Sequence, residues 1–80
     1  MPFVYIIQSV EHPDQYYSGL TDHVEKRLRD HNSGKSTHTA KFKPWQLISY
    51  HYFSNGTTAL AFEKYLKSGS GRAFAKKHFR

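Results

Sequence analysis

No cysteine occurs in this 80-residue chain. Neither a disulfide framework nor a thiolate zinc site can hold it together, so side-chain burial has to do so alone. A polypeptide of this length builds one hydrophobic core and hides only about 60% of the surface that it exposes when unfolded. One domain over residues 1–80 is therefore expected. Much of the burial must come from six Phe, six Tyr and one Trp, because each ring covers a large area while Tyr and Trp keep a polar handle. The lack of cysteine also suits a reducing compartment.

The order of local patterns predicts an α+β fold. Phe3 to Gln8 and Gln15 to Leu20 are rich in aromatic and β-branched residues, and the turn formers Glu11-His12-Pro13-Asp14 lie between them, which reads as a β-hairpin. From Thr21 the pattern becomes helical: Thr21 or Asp22 can cap a helix, Glu25 follows Asp22 by three residues as in a capping box, and Asn32-Ser33-Gly34 supplies a stop, giving a helix over about Asp22 to His31. Residues 33–44 are polar and basic without a period, as expected of a substrate-contacting loop. Trp45 to Phe53 reads as a third strand. After the Asn55-Gly56 turn, Ala59, Phe62 and Leu66 fall at helical spacing up to Ser68-Gly69. Gly69-Ser70-Gly71 then permits a bend before a last short helix over residues 72–79. The order ββαβαα implies a small three-stranded antiparallel sheet flanked by helices.

Phe3 to Ile7 lacks the flanks of a signal segment, and no run approaches the ~20 apolar residues of a membrane helix, so a soluble cytoplasmic protein without a membrane partner is expected. Charge narrows the choice of partner. Residues 1–30 hold three Lys and Arg against five Asp and Glu, whereas residues 31–80 hold nine against one. A basic surface of this kind concentrates a polyanion, which makes nucleic acid the leading partner and an anionic membrane surface the weaker one.

The lone acid of the basic half is Glu63, at the edge of the helical stripe meant for the core. A salt bridge to Lys67 at i+4 would account for it structurally. Its alternative is a hard cation such as Mg²⁺, which is often held by one or two carboxylates with water and phosphate oxygens completing the shell. Arg27 and His31, four residues apart, share a helical face, where a guanidinium fork suited to phosphate would lie beside a group that titrates near neutrality; the plain alternative is an ordinary charged face. Tyr5 and Tyr17 could share a face of the hairpin, as packing residues or as something more. His12, His23, His38, His51 and His78 show no zinc-ligand spacing.

These residues form one ordered set. Phe3-Val4-Tyr5, Tyr17-Ser18-Gly19, Arg27 ten residues after Tyr17, and a late helical Glu63 resemble the GIY-YIG nuclease superfamily. The likeness is nearest to small stand-alone UPF0213-like members and to the nuclease module of the ABC excinuclease of DNA repair. Val24-Glu25-Lys26-Arg27-Leu28, His31-Asn32-Ser33-Gly34-Lys35, Pro44-Trp45-Gln46-Leu47 and Phe62-Glu63-Lys64-Tyr65-Leu66-Lys67 extend the likeness over nearly the whole chain. The resemblance implies a metal-dependent DNA endonuclease with one divalent ion, Mg²⁺ or Mn²⁺, on Glu63. It also implies Tyr5, Tyr17, Arg27 and His31 as catalytic residues and Gly19 as the motif glycine. DNA stands ahead of RNA as substrate, and DNA repair is among the compatible roles.

The motifs depart from the family name in Phe3-Val4 for Gly-Ile and in Ser18 for Ile. Leu20 replaces a lysine, and Ala75 lies near the place of a late Asn carried by several members. Targeting is expected from Lys35, Lys41, Lys43, Lys67, Arg72, Lys76 and Lys77. The competing reading is a catalytically weak or inactive nucleic-acid-binding module of the same fold.

Overall fold

Successive side chains of a strand point to opposite faces, so a strand apolar at consecutive positions must be covered on both sides. Val4, Tyr5, Ile6 and Ile7 are such a run, and each is 3% exposed or less. In the computed structural model, which describes residues 2–80, they lie in β1 (Phe3–Ser9), the central strand of an antiparallel sheet. β2 (Tyr16–Thr21) and β3 (Trp45–Tyr52) flank it in the order β2-β1-β3. The helices are α1 (Val24–Asn32), α2 (Thr37–Ala40), α3 (Gly56–Leu66) and α4 (Gly69–His78).

Each face of the sheet carries its own core. On one, Val4 and Ile6 pack with Ala59 and Leu66 of α3 and Ala75 of α4, joined by Phe53, Phe62 and Phe79. On the other, Tyr5, Ile7 and Trp45 pack with Val24 and Leu28 of α1 and with Tyr17, Phe42 and Leu47. A bulge sets which β3 side chains reach which core. Ile6 pairs with Ser49 and Ile7 with Leu47, so Ile48 is the extra residue. This one-residue shift reverses the alternation, placing Leu47 and Tyr50 on the same face.

The expected α+β architecture and antiparallel sheet are present, with local corrections. α1 begins at Val24 and its N-cap is His23, without a side-chain cap. The Thr21 hydroxyl accepts the His23 N–H at 3.1 Å and shapes the entry to the helix. The supposedly irregular segment 33–44 contains the helical turn α2, entered from Ser36. Gly69-Ser70-Gly71 is the first turn of α4 rather than a free bend, since Ser68 caps it through the Gly71 N–H at 3.1 Å. Asp30 has a side chain only 16% exposed and is paired with Lys26 and Lys35.

Gly71 marks the tightest approach between α3 and α4, because a Cβ there would lie 1.7 Å from the Tyr65 carbonyl oxygen. At Gly56, by contrast, nothing lies within 4 Å of such an atom. Gly71→Ala is therefore expected to lower the unfolding free energy by about 1–3 kcal/mol or more, as other overpacked sites do. Gly56→Ala should stay within about 0.5 kcal/mol of the parent chain. Urea unfolding of both variants checks the contrast.

Candidate active site

The β1–β2 register decides what surrounds Tyr5. Tyr5 is paired with Gly19, and Ile7 with Tyr17, so Tyr5 and Tyr17 lie on the same face with ring centroids 6.4 Å apart. Gly19 is buried, and a Cβ on it would come within 2.7 Å of the Tyr5 hydroxyl. The phenol can occupy its place only beside a residue without a side chain.

His31, one turn after Arg27 on α1, is fully buried at 0% exposure. Its Nε2 lies 2.8 Å from the Tyr5 hydroxyl and its Nδ1 lies 2.7 Å from the Thr39 hydroxyl. The Thr39 hydroxyl in turn donates to the Ser36 carbonyl at 3.4 Å. The arrangement that satisfies all these groups has Nδ1–H donating to Thr39 and Nε2 accepting from the Tyr5 O–H, a tautomer assigned from the network. Trp45 holds this arrangement from outside. Its indole N–H donates to the Thr39 carbonyl at 2.9 Å. The Asn32 amide clamps the Trp45 backbone through both its oxygen and its nitrogen. The end of α1, the turn α2 and the start of β3 are thus tied around one imidazole.

Electrostatics places two further side chains near Tyr5. Burial pushes its phenol up to about 12, opposed by the Arg27 guanidinium beside it, while Tyr17 and Glu63 add to the rise. His31 is held below the ordinary histidine range by burial and then by the Arg27 charge, against a weaker pull from Asp30. At neutral pH both Tyr5 and His31 are therefore uncharged, and Arg27 carries the fixed positive charge of this cluster.

Glu63 reaches the site from the opposite core. Its side chain is 12% exposed, and Oε2 lies 2.8 Å from Lys67 Nζ, the i+4 salt bridge that the sequence offered as the structural explanation. Lys67 Nζ also sits 5.2 Å from the centre of the Tyr17 ring. Because Tyr17 belongs to the α1 face and Lys67 follows α3 on the other, the two faces meet around β2, an edge strand. Tyr5, Tyr17, Gly19, Arg27, His31 and Glu63 are thereby brought together. Among the described residues no group of three His, Asp or Glu could cage an ion. Glu63 suits instead a hard cation that keeps most of its shell as water and substrate oxygens.

The basic residues divide. Lys67 and Arg72 line a cleft with Tyr16, Tyr17 and His38. Lys35 is engaged with Asp30 at 3.5 Å, Lys41 rests 5.3 Å from the centre of the Phe42 ring, and neither lines that cleft. Lys43 is exposed, as are Lys76 and Lys77 in the last turn of α4. Ala75 is 4% exposed in the α3–α4 core. Thr39 and Arg80 escaped the sequence reading, and His38 was weighed there only as a zinc ligand. Thr39 and His38 stand in a segment with no period, and Arg80 reaches the cleft only through the path of α4.

Similarity to known proteins is found along nearly the whole sequence. Residues 1–77 match the family model for the GIY-YIG catalytic domain. Among curated relatives, the structure-specific endonuclease subunit SLX1 of Debaryomyces hansenii is 38% identical over 71 residues, covering 80% of this chain and 20% of that protein. A UPF0213 protein of Haloquadratum walsbyi is 34% identical over 67 residues, covering 82% and 73%. One from Clostridium perfringens is 32% identical over 68 residues, covering 84% and 71%. The chain thus spans about a fifth of the yeast protein and most of the small proteins. No solved structure matches. With the family model covering nearly its full length and the motif residues gathered at one strand edge, this chain belongs to the GIY-YIG catalytic domain family.

Proposed function

We propose that the protein is a metal-dependent endonuclease that hydrolyses phosphodiester bonds, of DNA ahead of RNA, with one divalent ion, Mg²⁺ or Mn²⁺, on Glu63. The observation that carries this reading is the buried Tyr5–His31–Thr39 chain, with the Arg27 guanidinium beside the phenol and the Glu63 carboxylate arriving across the β2 edge. Family membership and relatives named as structure-specific endonuclease subunits support it.

A phenol with a pKa near 12 is not a standing base at neutral pH. It can still take a proton if it passes its own on at the same moment. In the reaction we infer, the attacking water loses a proton to the Tyr5 oxygen, the Tyr5 proton moves to His31 Nε2, and the water oxygen bonds to phosphorus as the bond to the leaving oxygen breaks. Thr39 holds the imidazole in the accepting tautomer. Arg27 stabilises the charge that grows on the non-bridging oxygens. When bound by Glu63, a divalent ion supplies Lewis-acid stabilisation at the departing oxygen. Tyr17 orients the phosphate through its hydroxyl.

The parent chain, Glu63→Ala and Arg27→Ala are to be incubated with supercoiled, single-stranded and branched DNA and a structured RNA, in Mg²⁺, Mn²⁺ or EDTA. Cutting by the parent chain should require metal, and each substitution should reduce it by about 10²–10³-fold, the scale of losing one charge-stabilising group, while binding persists. Binding of every substrate without cutting in any metal would replace this reading with a nucleic-acid-binding module of the same fold.

Thr39→Val would leave the His31 Nδ1–H without its acceptor. The expected cost is about 1–3 kcal/mol of stability, with a fall in kcat at unchanged KM. Unfolding curves and single-turnover kinetics measure the two effects.

The lowered His31 and His51 pKa values, both set by burial, give stability a definite pH slope. Between their folded values and 6.5 the unfolded chain binds more protons than the folded one, so stability is full above about pH 6.5 and is lost as pH falls. His31→Gln should flatten part of this loss and leave the His51 share, as read from urea midpoints between about pH 7.5 and 5.

A further inference from the structure

Beside the Tyr17–Lys67 contact, a cleft of about 240 Å³ runs between the β2 edge and the α3–α4 junction. Lys67, Arg72 and Arg80 line it, His38 stands at its wall, and none of its lining residues is acidic. Resting on the nuclease reading, we propose that this cleft seats a second phosphate of the same nucleic-acid strand, a backbone diester outside the reaction centre.

Three features support a built site over a diffuse positive surface. Two of the cations are positioned by neighbouring rings of β2. The Arg80 guanidinium lies 4.0 Å from the centre of the Tyr16 ring, and Lys67 Nζ lies 5.2 Å from that of Tyr17. A stacked guanidinium has lost much of its rotamer freedom, yet its edge still presents N–H donors to an anion. Second, Arg72 lies in the first turn of α4, where the helix dipole adds positive potential. Third, Ile6 and Leu66 give the cleft an apolar wall suited to a sugar beside the phosphate.

Lys67 joins the cleft to the reaction centre, because the ammonium that lines it also pairs with Glu63 at 2.8 Å. A strand with one phosphate at Arg27 and Glu63 would therefore bring a neighbouring phosphate past Lys67 into the cleft. The wider groove along α1 lacks this character. Its lining mixes Asp22 and Glu25 with Lys26 and Arg29, and mixed signs do not hold a polyanion.

The test measures binding by the full chain in EDTA, where no cutting interferes, using fluorescent single-stranded and branched DNA at several salt concentrations. It compares Arg72→Gln/Arg80→Gln with Lys26→Gln/Arg29→Gln, which removes the same charge from the exposed face of α1 outside the cleft. The cleft pair should weaken binding by about tenfold and reduce the slope of log affinity against log salt by about 1–2, whereas the outer pair should cost less than about threefold. Arg72→Gln alone, at an exposed position, should show part of the same loss and guards against misfolding of the double variant. Equal losses from the two pairs, or none from the cleft pair, would overturn the proposal. Cutting by the parent chain in Mg²⁺ judges the nuclease reading separately. A chain that binds through the cleft without cutting keeps the cleft, and one that cuts but is indifferent to the cleft pair loses it.

Discussion

Everything distinctive about this domain depends on keeping one imidazole dry. His31 is fully buried, and at rest such a histidine is favoured when neutral and hydrogen-bonded at both nitrogens. Tyr5 supplies one partner, and its hydroxyl is admitted because Gly19 has no side chain. Thr39 supplies the other, and it is in reach because Trp45 and Asn32 fasten the intervening turn. A residue that looks like an exposed member of a charged helix is thus the centre around which a strand pair, two helical segments and a third strand are arranged.

The second organising fact is that the sheet has an edge at β2. Side chains from the α1 core and from the α3–α4 core can meet there by passing the edge, and Lys67 does so, binding Glu63 and covering Tyr17 at once. The ion pair is the structural role that a lone acid in a basic chain would be expected to have. It is also compatible with a cation site, since an ammonium reaching the carboxylate shows that positive charge is favoured there. The same lysine extends the electropositive surface into the cleft beside Arg72 and Arg80.

Much of the scaffold was legible in advance. The consecutive apolar residues of β1, the aromatic density of β3 and the Ala59–Phe62–Leu66 spacing of α3 are one-dimensional records of which faces must be buried, and the structure buries Ala59 and Leu66 fully and Phe62 in part. Helix ends were less legible. Asp22 with Glu25 has the spacing of a cap, but the N-cap position falls one residue later, at His23, with its N–H donated to the Thr21 hydroxyl. The Gly69-Ser70-Gly71 run looked like a hinge because glycine is a poor helix former; Gly71 is used instead where two helix ends touch.

For the candidate site, the sequence by itself determined the chemistry at hand: two tyrosines, an arginine, a histidine and one carboxylate in an otherwise basic half, in an order that resembles a known family. Side-chain type and order along the chain are local properties, whereas the β1–β2 register puts Tyr5 and Tyr17 on one face. Only the tertiary structure decided that His31 would be buried rather than exposed and that Thr39 would fix its tautomer. It alone carried Glu63 around the β2 edge and drew Arg80 onto Tyr16. Each of these outcomes joins residues far apart in the chain, and their contact follows from how two cores close on a three-stranded sheet, a constraint that no local spacing encodes.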